Sequence, residues 1–174
     1  MHVRALQESR RARRKENNST YLSTKSGQAA RVDAARVNMA FAIKAEVRGL
    51  RAKSFAFTAQ KTMYGGKHIA KGDPVFVFAS ENEGGQGLIA RGVVTCAEAI
   101  AKNSGVARQT LRVSIAIKRT AVAKRPLGRR ELKHFTDWDD GQPETELNFK
   151  FYRQATNKIV GVSDEAAAFL DGFF

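Results

Sequence analysis

The chain has 174 residues, 43% of them hydrophobic, with 30 lysines and arginines against 17 aspartates and glutamates, a net charge of +13. That length suits one domain plus an extension, and the charge favours a polyanionic partner, because each phosphate neutralised releases condensed counterions. No apolar run approaches the ~20 residues of a membrane-spanning helix, and a lone cysteine, Cys96, excludes an internal disulfide or a cysteine metal cluster.

Residues 1–38 hold nine basic and three acidic side chains, and so carry +6 of the +13. The start is basic without an apolar stretch, which argues against a secretory signal. Together with the single cysteine this points to a reduced, cytoplasmic setting. Residues 4–15 can form a basic helix, and polar breakers follow at 17–20 and 23–28. The segment is expected to be largely disordered. The folded domain, 39–174, is expected to begin at Met39, a residue that could itself serve as a start.

From there the pattern changes. Phe41, Ile43, Ala45 and Val47 alternate with Ala42, Lys44 and Glu46, the period-two signature of a half-buried strand. Tyr64 precedes Gly65-Gly66 in a loop. A Gly72-Asp73 turn launches an apolar run at 75–79, and the polar, glycine-rich 80–87 reverses it into 88–95, a β-hairpin. Alternation puts Phe76 and Phe78 on one face and Val75, Val77 and Ala79 on the other. Cys96 is expected as a small core residue near the strand end. A short helical turn is expected at 97–101 and a polar connector at 102–108.

Residues 111–118 form the clearest strand, with Leu111, Val113, Ile115 and Ile117 sharing a face. A helix-like piece follows at 127–134, then irregular chain at 134–145 and strands at 148–154 and 159–162. Ser163 reads as the N-cap of a closing helix, with Asp164 and Glu165 at its positive end. Five to six strands and two or three short helices make an α+β domain, a small, strongly bent barrel with peripheral helices.

Three stretches then carry a resemblance: the opening strand 41–47 followed by a long loop and helix, the Gly72-Asp73 hairpin with its return strand 87–94, and the late strand and closing helix at 151–166. On these the chain from 39 to 174 resembles the PUA-like superfamily and is most similar to EVE domains. The resemblance implies a pseudo-barrel that binds RNA, or a modified base in DNA flipped into a pocket. The chain departs from the EVE pattern in having Phe41 and no tryptophan in its first strand. It also lacks the ASCH loop Gly-X-Lys-X-X-Glu-X-Arg, and its one tryptophan cannot form a multi-tryptophan cage.

Reading a base requires a flat apolar surface, polar groups at the base edge and cations for the phosphates. Tyr64 is the stacking candidate and Lys61, three residues earlier, a phosphate contact. Ser80 and Asn82 can each donate and accept at a base edge, although both types also favour turns. Phe78 ends the first hairpin strand and is either pocket wall or core. Trp138 either lids the barrel or walls the pocket. Arg119, Arg129, Arg130 and Arg153 are candidate backbone contacts, with Lys124 and Arg125 beside them.

Catalytic motifs are missing. His2, His68 and His134 lack metal-ligand spacing, Asp137, Asp139 and Asp140 lack the EF-hand pattern, and there is neither a P-loop nor a Gly-X-Ser-X-Gly. No catalytic residue, metal or cofactor is therefore expected. The sequence reads as a non-catalytic nucleic-acid-binding module that recognises a plain or modified nucleobase. Two alternatives stand beside it: an ASCH-like hydrolase acting on a nucleoside or RNA, and a basic adaptor that binds ribosomes or proteins through its tail. RNA against DNA, the base itself and the oligomeric state are left open.

Overall fold

The structure is a computed structural model that describes residues 39–174. The basic extension expected at 1–38 lies outside the described residues. Six strands close into a barrel in the order β1-β3-β4-β5-β2-β6. They are β1 (Ala40–Ala45), β2 (Ser54–Met63), β3 (Pro74–Ala79), β4 (Gly87–Ile100), β5 (Arg112–Val122) and β6 (Lys158–Val162). The helices are α1 (Arg129–Leu132), α2 (Pro143–Phe151) and α3 (Asp164–Asp171). The sheet is mixed: β1 runs parallel to β3 and antiparallel to β6, and β2 runs parallel to β6.

Alternation along β1 and β3 builds two cores from one pair of strands. Phe41, Ile43, Ala45, Val75 and Val77 fill the barrel interior with Ile115 and Ile117. Ala40, Ala42, Phe76 and Phe78 face the other way and are covered by Leu147 and Phe151 of α2 and Leu170 of α3. Phe78 and Phe151 meet at 4.9 Å between ring centroids. Full burial of such side chains stabilises by about 1.5–3 kcal/mol each. The closing helix starts as its sequence specifies, with the Ala166 amide donating to Ser163 Oγ at 3.1 Å. No helix among the described residues is long and apolar enough to cross a membrane.

Four local expectations are corrected. The stretch after the first strand, expected as a long loop and helix, holds strand β2, which pairs with β5 and β6. Residues 97–100 continue β4, because each pairs with β5 as far as Ile100 opposite Arg112. Residues 148–151 end a helix: Pro143 occupies its first turn, and Leu147 and Phe151, four apart, bury the same side. Cys96 is exposed and not a core residue. A register shift between Val94 and Cys96 moves the barrel-facing parity to Ala97, opposite Ile115.

Candidate nucleic-acid interface

A second irregularity, in β2, shapes the mouth of the barrel. Between Phe57 and Gln60 the register against β5 slips by one residue. Ala59 has φ 49°, a left-handed conformation that strains a residue with a Cβ. Two contacts hold it there. Its amide donates to Ser114 Oγ at 3.0 Å, and its carbonyl accepts from Arg112 Nη1 at 2.7 Å. The slip reverses side-chain parity: Phe55 and Phe57 face the interior before it, and Gln60, paired with Val113, takes that side after it.

Two adjoining hollows of about 410 and 450 Å³ open here and share Gln60, Glu83 and Asn157. The first is bordered by Glu46 and Arg48 and reaches the rings of Phe55 and Phe57. Lys61, Asn82 and Arg112 border the second. Asn157 Nδ2 donates to both Glu83 carboxylate oxygens at 3.0 Å, Asn82 Nδ2 to the Ala155 carbonyl at 3.4 Å, and Arg48 Nε to Glu46 at 2.8 Å. The groove thus presents amides, carboxylates and cations, and its lining includes Phe55 and Phe57 of the barrel core, each 7% exposed. Amides and carboxylates retain lone pairs and protons for a further partner.

Tyr64 and Trp138, far apart in sequence, are brought to one surface cluster. Tyr64 lies 5.7 Å from Phe149, Trp138 meets Phe149 edge-on at 5.4 Å, and the Arg153 guanidinium sits 4.8 Å above the Phe149 ring. Tyr64 has φ 47° and precedes a short turn that only glycine permits, since a Cβ on Gly66 would lie 2.1 Å from the Ile159 carbonyl oxygen. Phe149 was not legible as a site residue while 148–154 read as a strand. Pro143 with Glu144 and Glu146 behind it was the available helix-start signal.

The remaining predicted ligand residues are interior. Phe78 is wholly buried in the core beneath α2. Ser80 is buried too: its amide donates to the Ala45 carbonyl at 2.8 Å, and its Oγ has no protein partner. Next to it, Glu81 Oε1 accepts from Tyr152 Oη at 2.6 Å and from the Arg129 amide at 2.9 Å, while Lys44 Nζ stands 3.4 Å from Oε2. Burial pushes the Glu81 carboxyl up, but the bonds from Tyr152 and Arg129 and the Lys44 charge outweigh it and hold it below its ordinary value. The Tyr152 hydroxyl is pushed well up, by burial and then by Glu81.

Lys158 faces Lys44 across the β1–β6 ladder and donates to the Gln154 carbonyl at 2.9 Å. Burial, and then the Lys44 charge, lower its ammonium to about 8. This cluster ties the segment carrying Asn82 and Glu83 to the turn carrying Ala155–Asn157, and so fixes opposite walls of the groove.

The four predicted backbone arginines are scattered. Arg119 lies on β5 opposite Gly92. Arg129 and Arg130 border a separate hollow of about 390 Å³ with Glu81, and Arg130 is ion-paired to Glu131 at 2.9 Å. Arg153 covers Phe149. Sequence reasoning missed Gln60, Arg112 and Asn157, whose roles depend on the β2 bulge and on the 152–157 turn. No group of three His, Cys, Asp or Glu among the described residues is placed to hold a metal ion.

No protein-family model and no curated protein sequence matches this chain. Solved structures do share its fold. Human THYN1 in complex with 5-methylcytosine-containing DNA is similar at a TM-score of 0.55 and 12% identity, over 77% of this chain and 96% of that one. The DUF55 domain of human thymocyte nuclear protein 1 gives 0.50 and 12%, over 75% and 95%. With its closed barrel of six mixed strands and short covering helices, the chain has the PUA-like fold of the EVE-type (DUF55) domains.

Proposed function

We propose that this protein is a non-catalytic nucleic-acid-binding module that takes a nucleobase into the groove at the mouth of its barrel. The observation that carries the reading is the groove's composition: Gln60, Asn82 and Asn157 amides and the Glu46 and Glu83 carboxylates, set beside Phe55 and Phe57 and flanked by Arg48, Lys61 and Arg112. Carboxylates accept from the exocyclic amine of cytosine, and amides bond adenine bidentately at N6 and N7. Extruding a base costs a few kcal/mol, which stacking at about 1–3 kcal/mol per base and edge hydrogen bonds can offset. Tyr64, Phe149 and Trp138 offer a second stacking surface beyond the 152–157 turn, suited to a neighbouring base. The human relative in fold was crystallised with 5-methylcytosine-containing DNA, so a methylated cytosine is the first ligand to try.

The test is a binding panel of oligonucleotides, DNA and RNA, that differ at a single base, plain or methylated, at near-physiological salt. One member should bind at least about tenfold more tightly, equivalent to 1.4 kcal/mol. Gln60→Ala and Asn82→Ala should each erase much of that preference without shifting Tm. Equal affinity for every member would sink the reading.

A further inference from the structure

The β4–β5 arm ends at a rung that joins Ile100 to Arg112, where Arg112 is also paired with Lys61 of β2. Its connecting turn is shaped by Gln109, whose Nε2 donates to the Asn103 carbonyl at 2.7 Å and whose Oε1 accepts from the Asn103 amide at 3.0 Å. Where the arm meets β2, Lys61, Lys102, Arg108 and Arg112 border a hollow of about 240 Å³ that no carboxylate lines. None of the four is ion-paired among the described residues, whereas Arg48, Arg91, Arg130 and Lys150 each have a carboxylate within 4 Å. Like charges gathered around one hollow repel one another, and an anion placed between them relieves that repulsion. Lys61 and Arg112 also border the groove that holds Gln60 and Asn82, so hollow and groove adjoin.

We infer that this hollow is a phosphate-binding site, and that it takes a backbone phosphate next to the nucleotide whose base enters the groove. The inference rests on the base-binding reading of the groove and adds the path of the strand to it. The chemistry fits: guanidinium forks grip phosphate oxygens bidentately, and lysines add point charges. An overall basic surface alone would spread this effect over every exposed cation, and that difference is measurable.

The full chain is titrated with a single-stranded oligonucleotide by fluorescence anisotropy at several salt concentrations, as wild type, Lys102→Gln/Arg108→Gln and the control Lys67→Gln/Lys71→Gln. All four substituted residues are exposed, and thermal melts check that each double variant stays folded. Two lost phosphate contacts at about 0.7 each should reduce the magnitude of the log–log salt slope by about 1.4 in the arm variant. Its affinity should fall about tenfold or more, with the preference between plain and methylated base unchanged. The control should change the slope by much less. Equal changes in the two doubles, or none in the arm variant, would overturn the site. A wild type with no base preference whose salt slope still depends on Lys102 and Arg108 would leave the phosphate site standing and remove the base reading.

Discussion

The covered face of the barrel and its open mouth both set polar groups beside aromatic rings, but water has been removed from only one of them. Under the helices, Lys44, Tyr152 and Lys158 are buried: Tyr152 donates to Glu81, Lys158 donates to the Gln154 carbonyl and Lys44 is ion-paired to Glu81 at 3.4 Å, while Ser80 Oγ and Glu81 Oε2 have no hydrogen-bond partner. At the mouth, Gln60, Lys61 and Asn157 are half-buried and Asn82 and Arg112 exposed. An uncompensated buried charge costs several kcal/mol, so the buried Lys44 ammonium depends on the Glu81 carboxylate beside it. Groups at the surface face no such demand and retain capacity for a ligand. The covered cluster therefore acts as a brace for the groove, and the mouth keeps the capacity that the proposed base binding needs.

The comparison can be broken most severely at Glu81. Glu81→Gln leaves Lys44 without its counter-charge and should cost about 2–3 kcal/mol in urea unfolding. Because its carboxyl is held below its unfolded value near 4.5, its stabilisation is complete above that value and disappears as pH falls through the folded one. The variant should therefore lose less stability on acidification than the wild type. A wild-type acid profile shared by the variant would deny Glu81 its bracing role.

Lys158 works in the opposite window. Its folded value of about 8 lies under the ordinary 10.5, so the ammonium opposes folding at neutral pH. Wild-type stability should rise between about pH 8 and 10.5 as the unfolded chain, still protonated, loses its advantage. Lys158→Met should flatten that rise, an effect of about 1–2 kcal/mol. An equally steep rise in the variant would assign it to another group.

At the groove and at the Tyr64–Phe149–Trp138 surface beyond it, the effects should appear in binding and leave folding alone. Tyr64→Ala should weaken oligonucleotide binding by about 1 kcal/mol through lost stacking, with the salt slope preserved. A Tm change larger than the affinity change would move Tyr64 from the binding surface to the scaffold. The smallest effect is expected from removing residues 1–38, which should shift Tm by only a few degrees and leave base preference intact. Loss of all nucleic-acid binding on that deletion would favour the adaptor reading over the groove.

Much of the fold was legible because its signals are local. Period-two alternation in 41–47 and 75–79, the Gly72-Asp73 turn and the Ser163 cap each depend on a few neighbouring residues; strands and cap are found there, although the first strand ends at Ala45 and is buried on both faces, where its alternation indicated one. The candidate site was legible only in fragments. Lys61 and Asn82 line the groove, while Tyr64 and Trp138 meet elsewhere through Phe149. Ser80 and Phe78 looked like a strand end open to a ligand, yet β3 is covered on both faces, and that comes from the barrel on one side and α2 on the other. Gln60 and Cys96 escaped for one reason: a bulge reverses which alternate residues face inward, and its position is set by the partner strand.

Composition and short-range periodicity act along the chain, and so the basic character, strands β1, β3 and β5 and the aromatic and amide residues from which a base site can be made are legible in the sequence. Only the tertiary structure decided which of them meet. Closing the barrel set β2 against β5 and placed its bulge, and docking α2 and the 152–157 turn brought Asn157 to Glu83 and Phe149 to Tyr64. Those contacts join residues 51 to 85 positions apart, a separation at which strand pairing and shared burial, rather than local propensity, choose the partner.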